Sequence, residues 1–252
     1  MQDGIDYTNQ NLFIVDPFTT PNGSWATGTG SYGTVTNGNI GSDGIAFGYQ
    51  KTIDNNTVGI AGYYGQISTS GYNNSSLTGT NGSATVYVLS KQPWATFKVA
   101  GGVAYSEFTN SVSIPSFGLM NSQKVKQTNV YGDFAVYSPK DLAGWTPFVG
   151  VIVNNSSVSD GGSNGSAILA QNPKTGNSTT AMPYVGIQKE IDSGVVVQAK
   201  VSDSPVYGAV GTVKIIAKKQ IAKNTNLTLT AGYDKGNHYD NATIMIGLTY
   251  DF

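Results

Sequence analysis

Apolar and small or polar residues alternate along most of this chain, in segments of about ten residues with turn-forming residues between them. That period of two predicts strands near 24–35, 42–53, 56–68, 82–90, 94–108, 124–138, 145–158, 179–191, 194–203, 211–221, 225–234 and 241–252. Helical signals are nearly absent. The last segment shows the alternation most clearly. Ile244, Ile246, Leu248, Tyr250 and Phe252 share one face, and Thr243, Met245, Gly247, Thr249 and Asp251 share the other. Side chains alternate across a strand, so the first set is expected to face lipid and the second a lumen. A strand of a soluble sandwich can alternate in the same way, so the connections have to decide.

Short turns are expected at Asp54-Asn55, Lys91–Pro93, Pro139–Gly144, Asp192-Ser193 and Ala222–Asn224. Longer loops are expected at 69–81, 109–123 and 159–178, with smaller ones near 36–41, 204–210 and 235–240. Short and long alternate throughout. Outer-membrane barrels have short periplasmic turns, longer outer loops and an even strand number. The expected fold is therefore all-β: a transmembrane, antiparallel, up-and-down β-barrel of about twelve strands at 24–252. An N-terminal segment, 1–23, would lie in or under the pore. Both termini then fall on the periplasmic side of a Gram-negative outer membrane.

Composition sharpens this picture. Charged residues make up only 12% of the 252 residues, and there are 32 glycines, no cysteine and one histidine. A soluble domain carries about twice that charge, whereas a wall between lipid and water needs polarity with few full charges. No apolar run approaches the roughly 20 residues of a membrane-spanning helix. Without cysteine there can be no disulfide or thiolate metal site, and a net charge of −1 gives no nucleic-acid signal. Nothing at Met1 reads as a signal peptide, so the sequence is expected to be a mature or truncated form.

Aromatic and charged residues then fix the depth. Trp25, Trp94 and Trp145 each open an upward strand and are expected as interface aromatics at the periplasmic edge, level with Tyr250 and Phe252. Tyr105, Phe108, Tyr207 and Tyr239 are expected near the opposite rim. Lys98, Asp133, Lys200 and Lys214 have the parity opposite to their apolar neighbours and are expected to face the lumen. Many glycines fall inside strands, where they could receive inward rings such as Tyr63 or Tyr131.

Candidate chemistry adds little. Gly28-Thr-Gly-Ser-Tyr-Gly33 matches a dinucleotide fingerprint, but the mechanism needs a helix after it and the segment is strand-like. His238 lies in a short loop with no placed Ser partner. Asp43, Glu107, Asp133, Asp160, Glu190 and Asp203 are scattered over different strands, so no acid/base pair emerges. No catalytic residue, cofactor or metal ligand is expected, and an enzyme is not.

Residues 24–252 resemble the C-terminal translocator domain of autotransporters. The resemblance rests on length, strand count, Gly144-Trp-Thr-Pro-Phe-Val-Gly150, Pro183-Tyr-Val-Gly-Ile187 and the final aromatic. The ending Ile244, Ile246, Leu248, Tyr250, Phe252 resembles the signal that the barrel-assembly machinery reads. The resemblance implies a protein that anchors and exports an N-terminal passenger through its lumen. It also implies a setting of outer-membrane lipid and lipopolysaccharide; a monomer is expected. One departure stands at the front. Family members carry a helix through the pore, whereas residues 1–23 contain Gly4, Pro17, Pro21 and Gly23 around the β-rich run Leu12–Val15, and predict at best one or two weak turns. Two alternatives stay open: a free-standing narrow porin for small polar or anionic solutes, and a surface barrel acting through outer loops such as 159–178.

Overall fold

Burial alternates along the strands as the sequence pattern requires, because each strand has one wet or packed face and one outward face. The computed structural model describes residues 2–12, 22–36, 38–71, 75–139, 142–165, 174–192 and 194–250. They form one short helix, α1 (Gln2–Gln10), and twelve strands. The strands are β1 (Gly23–Val35), β2 (Gly38–Ile53), β3 (Asn56–Gly71), β4 (Ser75–Gln92), β5 (Ala95–Ile114) and β6 (Leu119–Tyr137). The second half supplies β7 (Thr146–Gly165), β8 (Gly176–Asp192), β9 (Val195–Ser204), β10 (Gly208–Ala222), β11 (Thr225–Gly236) and β12 (Tyr239–Tyr250). Every strand pairs with its sequence neighbours, and β1 closes on β12 through the register Ser24↔Tyr250 to Thr34↔Asp240. The product is a closed antiparallel up-and-down barrel. Its two ends are distinct: one, the terminal rim, holds the start of β1 and the end of β12, and the other is the loop rim.

The outer face is an apolar belt. Ile45, Phe47, Ile60, Val86, Val103 and Val130 are each about half exposed or more, as are Val213, Leu229 and Ile246 on the far side. A soluble surface does not carry so continuous an apolar patch, so the belt is the lipid-facing zone of a membrane barrel. Tyr49, Tyr250 and Trp94 project outward along its terminal edge, and Tyr32, Tyr64, Tyr105 and Tyr233 along its loop edge. Amphipathic rings favour both edges of a bilayer.

Several expectations need correction. The outer loops expected at 69–81 and 109–123 are largely strand: β3 runs to Gly71, β4 starts at Ser75, and β5 and β6 meet through one 3-10 turn at Pro115–Phe117. Beyond the belt the outer face meets water and the inward positions are largely polar, such as Asn110, Asn121 and Gln123, so the ladder continues with little apolar signal in the sequence. Trp25 sits at the terminal rim but turns inward and is only 8% exposed, its indole packed on Gly48, so it is not an interface aromatic. Phe108, Tyr207 and Tyr239 lie near the loop rim as expected, yet they too point inward. Trp145 is half-buried with Lys189 Nζ 5.8 Å from its ring centroid, so only Trp94 is fully outward.

Residues 2–10 are helical, which the sequence pattern did not predict. Gly4 and the Asn and Thr residues there are poor helix formers, and nine residues are too few for a helix to hold alone. Packing decides instead: Ile5, Tyr7 and Thr8 are each at most 3% exposed inside the barrel. Asn11 closes the last turn, its backbone N–H and Nδ2 both donating to the Tyr7 carbonyl at 2.9 and 3.0 Å. Part of the expected N-terminal segment, 13–21, and Phe252 lie outside the described residues.

Candidate functional site: an occupied lumen

Inward positions on the strands build three layers. Toward the terminal end aromatic rings lie across glycines of the neighbouring strand, as Tyr87 does over Gly59, and Tyr131 lies likewise over Gly102 farther up the wall than Lys98 and Asp133. A Cβ on Gly102 would sit 2.7 Å from the Tyr131 ring, so the ring can lie flat on the wall only because glycine is there. Each ring also finds a polar partner. The Tyr131 hydroxyl is 2.6 Å from Thr85 Oγ1, and the Tyr87 hydroxyl donates to Gln50 Oε1 at 2.9 Å.

The middle of the lumen holds a cavity of about 300 Å³ that is lined by both polar and apolar side chains. Lys98, Asp133, Lys200 and Lys214 all line it, together with Tyr7 of α1 and Asp234, which is not among the candidates read from the sequence. The four candidates do not act alike. Lys98 Nζ lies 2.6 Å from Asp133 Oδ2, and the Tyr184 hydroxyl donates to Asp133 Oδ1 at 2.6 Å. Lys200 stands over the Tyr184 ring, 5.3 Å from its centroid. Lys200 is opposite Thr212 in the ladder and Lys214 opposite Gln198, so the two lysines are diagonal neighbours on adjacent strands. Asp234 accepts a hydrogen bond from Thr212 Oγ1 at 2.6 Å. Lys98 and Asp133 thus neutralise each other, and Lys200 and Lys214 outnumber the one remaining carboxylate of the lining, Asp234.

Helix α1 bridges opposite walls across this layer. On one side the Tyr7 hydroxyl is 2.6 Å from Ser31 Oγ and 3.4 Å from both Ser42 Oγ and Asn241 Oδ1, contacting β1, β2 and β12. On the other, Thr8 Oγ1 donates to Gln127 Oε1 at 2.7 Å, and Asn9 Oδ1 accepts from Gln127 Nε2 at 2.8 Å and Asn154 Nδ2 at 3.1 Å, on β6 and β7. The Tyr239 hydroxyl donates to Asn11 Oδ1 at 3.1 Å. These wall residues were legible in one respect: Gln127 and Asn154 are long amides at lumen parity in mid-strand. Nothing in residues 1–12 announced their partners.

Near the loop rim the lumen is apolar. Val35, Ile40, Ile67 and Leu77 from β1–β4 meet Phe108, Val125 and Val158 from β5–β7 in one buried cluster. Val210 and Tyr239 extend it to β10 and β12, Tyr207 from the β9–β10 turn stacks on Tyr239 with centroids 4.5 Å apart, and α1 contributes Ile5 and Tyr7.

The remaining candidates stay apart. Gly28–Gly33 lies within β1, so no helix N-terminus is present to hold a pyrophosphate. His238 occupies a hairpin turn at φ 54°, Asp43 and Asp203 face outward, and Glu107 lies 3.7 Å from Lys124. Asp160 accepts from the Gly162 N–H and Glu190 from the Gly194 N–H. Among the described residues no three His, Cys, Asp or Glu side chains gather as a metal site. Ile244, Ile246, Leu248 and Tyr250 are all outward on β12.

A closed twelve-strand barrel with an apolar exterior and a helix held in its lumen is a membrane barrel with an occupied pore. Its fold is similar to the translocator domain of the autotransporter NalP from Neisseria meningitidis, with a TM-score of 0.75 and 14% identity over 100% of this chain and 94% of that one. It is also similar to the transport unit of the autotransporter AIDA-I from Escherichia coli, with a TM-score of 0.62 and 15% identity over 100% and 97% of the two chains. The Pseudomonas putida toluene transporter TodX matches less well, with a TM-score of 0.53 and 8% identity over 92% of this chain and 90% of that one. No protein-family model matches this chain, and no curated protein matches it by sequence.

Proposed function

We propose that this chain is an outer-membrane translocator that anchors, and helps export, a passenger joined N-terminally to α1. The observation that carries this reading is the position of α1. The segment just before the barrel occupies the lumen and is hydrogen-bonded to opposite walls. The whole-length likeness to two autotransporter barrels supports it. In this reading the start of β1 and the end of β12 face the periplasm, the passenger ahead of α1 lies outside, and the loop edge of the belt meets lipopolysaccharide. The outward face of Ile244, Ile246, Leu248 and Tyr250 is what the barrel-assembly machinery reads, together with Phe252, which follows them in the sequence. The barrel works as a monomer, and no catalytic step is involved.

An epitope placed N-terminal to Met1, behind a secretion signal, tests the export role in a Gram-negative host. External protease should remove the epitope from intact cells while the barrel keeps its heat-modifiable mobility. An epitope that stays protected on a folded barrel overturns the proposal. A channel for small anions is the second reading, favoured by Lys200 and Lys214 facing the cavity. Its signature is an anion-biased conductance that disappears in the Lys200→Gln/Lys214→Gln variant.

A further inference from the structure

Every hairpin at the terminal rim exposes a large apolar residue. Ile53, Trp94, Leu142, Ile191 and Ile221 belong in turn to the β2–β3, β4–β5, β6–β7, β8–β9 and β10–β11 hairpins, and each is more than half exposed. Three of them follow a lysine at one spacing: Lys51-Thr-Ile53, Lys189-Glu-Ile191 and Lys219-Gln-Ile221 lie at the ends of β2, β8 and β10. The lysines continue the outward faces of their strands, Lys51 after Phe47 and Tyr49, Lys189 after Val185 and Ile187, and Lys219 after Val213 and Ile215. Ile191 and Ile221 are each the extra residue of a bulge, since the ladder register shifts between Glu190 and Asp192 and between Gln220 and Ala222. Among the described residues none of the three lysines is ion-paired; Lys189 stands over the Trp145 ring and donates to the Ala143 carbonyl at 3.5 Å. The nearby carboxylates are placed otherwise: Glu190 accepts from the Gly194 N–H at 3.3 Å, and Asp54 occupies the β2–β3 turn at φ 52°.

We infer that the terminal rim is a collar that binds the headgroups of anionic phospholipids, each lysine pairing with a phosphate and each neighbouring apolar side chain seated among the headgroups. A lysine lays its stem along apolar surface and carries the ammonium out to the polar zone, where an anionic lipid surface attracts it. An isoleucine one outward step beyond that lysine would be bare in water, but it is covered if lipid contact extends past the belt into the interface. The distribution favours lipid over a protein partner. A protein covers one contiguous side of the mouth, whereas these residues recur at each hairpin around the circumference and continue the lipid-facing belt. The loop rim has no such repeat among the described residues, since Phe117 and Met120 crowd into a single hairpin. The collar stands whether or not a passenger is exported; only its assignment to the periplasmic leaflet rests on that reading.

Urea titration of the full chain in lipid vesicles, read by heat-modifiable mobility, tests it. The folding constant of the parent should be on the order of tenfold higher in phosphatidylcholine vesicles that contain phosphatidylglycerol than in phosphatidylcholine alone. Lys51→Gln/Lys189→Gln/Lys219→Gln should lose most of that difference. Lys51→Arg/Lys189→Arg/Lys219→Arg should keep it, which separates charge from any effect of substitution on the strand ends. Ile53→Thr/Ile191→Thr/Ile221→Thr keeps the β-branched shape and should lower the folding constant several-fold in both lipids. A parent indifferent to phosphatidylglycerol, or a Gln variant that retains the full difference, overturns the inference. So does an Ile→Thr variant as stable as the parent in both lipids, because those side chains would then serve a protein partner and not headgroups.

Discussion

Lys98 and Asp133 stand diagonally across the β5–β6 ladder, joined by a 2.6 Å ion pair whose side chains are 10% and 2% exposed. Tyr184 reaches the same carboxylate from β8 and ties three strands into one polar node. Removing one partner leaves the other buried and unpaired, so Lys98→Met or Asp133→Asn should each destabilise the barrel by about 3 kcal/mol. The Lys98→Met/Asp133→Leu double variant should recover most of that loss, since only the Tyr184 hydroxyl is left without its acceptor, at about 1 kcal/mol. Urea unfolding in detergent micelles, followed by tryptophan fluorescence, measures all three. A double variant no more stable than the worse single one would show that the pair is not energetically coupled.

The Tyr87 ring lies across Gly59 on the neighbouring strand, and an added Cβ would collide with it. Gly59→Ala therefore has to lift the ring or shift the ladder, an overpacking cost of about 1–3 kcal/mol. Gly30 faces outward, and a methyl added there would meet nothing within 4 Å. It should accept alanine with no loss, because glycine in a strand interior only weakens the strand. The midpoint of the heat-modifiable mobility shift compares the two. Equal midpoints would mean that the Tyr87 ring moves freely.

Much of this fold could be read from one property, the period-two alternation that the bilayer enforces. It placed twelve strands and turned Lys98, Lys200, Lys214 and Asp133 inward. It lost precision where that pressure ends. Above the belt, β4 starts at Ser75 rather than near 82 and β5 continues to Ile114, because Ser and Thr on an extended ladder in water resemble loop residues. Trp25 misled for a related reason: tryptophan suits a bilayer edge, but a glycine at position 48 made room for it indoors. Helix α1 was illegible because its stability comes from residues more than 100 positions away, such as Gln127 and Asn154.

Depth governs the cost of charge on the outer face. Ile246 sits in the middle of the belt, opposite Gly28 and Leu229, so Ile246→Lys should cost about 2–4 kcal/mol. Thr80 is on the same outer face at the loop edge, opposite Glu107, so Thr80→Lys should cost under about 1 kcal/mol. Folding yield into lipid vesicles across a urea series gives both values. Equal costs at the two depths would mean that the apolar belt is not where lipid lies.

On the side of β1, β2 and β12 the polar hold on Tyr7 is concentrated in one atom. The Tyr7 hydroxyl contacts Ser31, Ser42 and Asn241 at once, whereas Thr8 and Asn9 share Gln127 and Asn154 on the far wall. Tyr7→Phe keeps the ring in the buried cluster and deletes only the hydroxyl. The loss is about 0.5–1.5 kcal/mol, which raises the population of released helix several-fold. Barrel stability should stay unchanged, because no strand loses a ladder bond. Hydrogen exchange followed by mass spectrometry separates the two effects: amides of residues 2–11 should exchange several-fold faster while β12 keeps its protection. Faster exchange in β12 as well would mean that the helix is part of the barrel's folding unit, and not a guest held in its lumen.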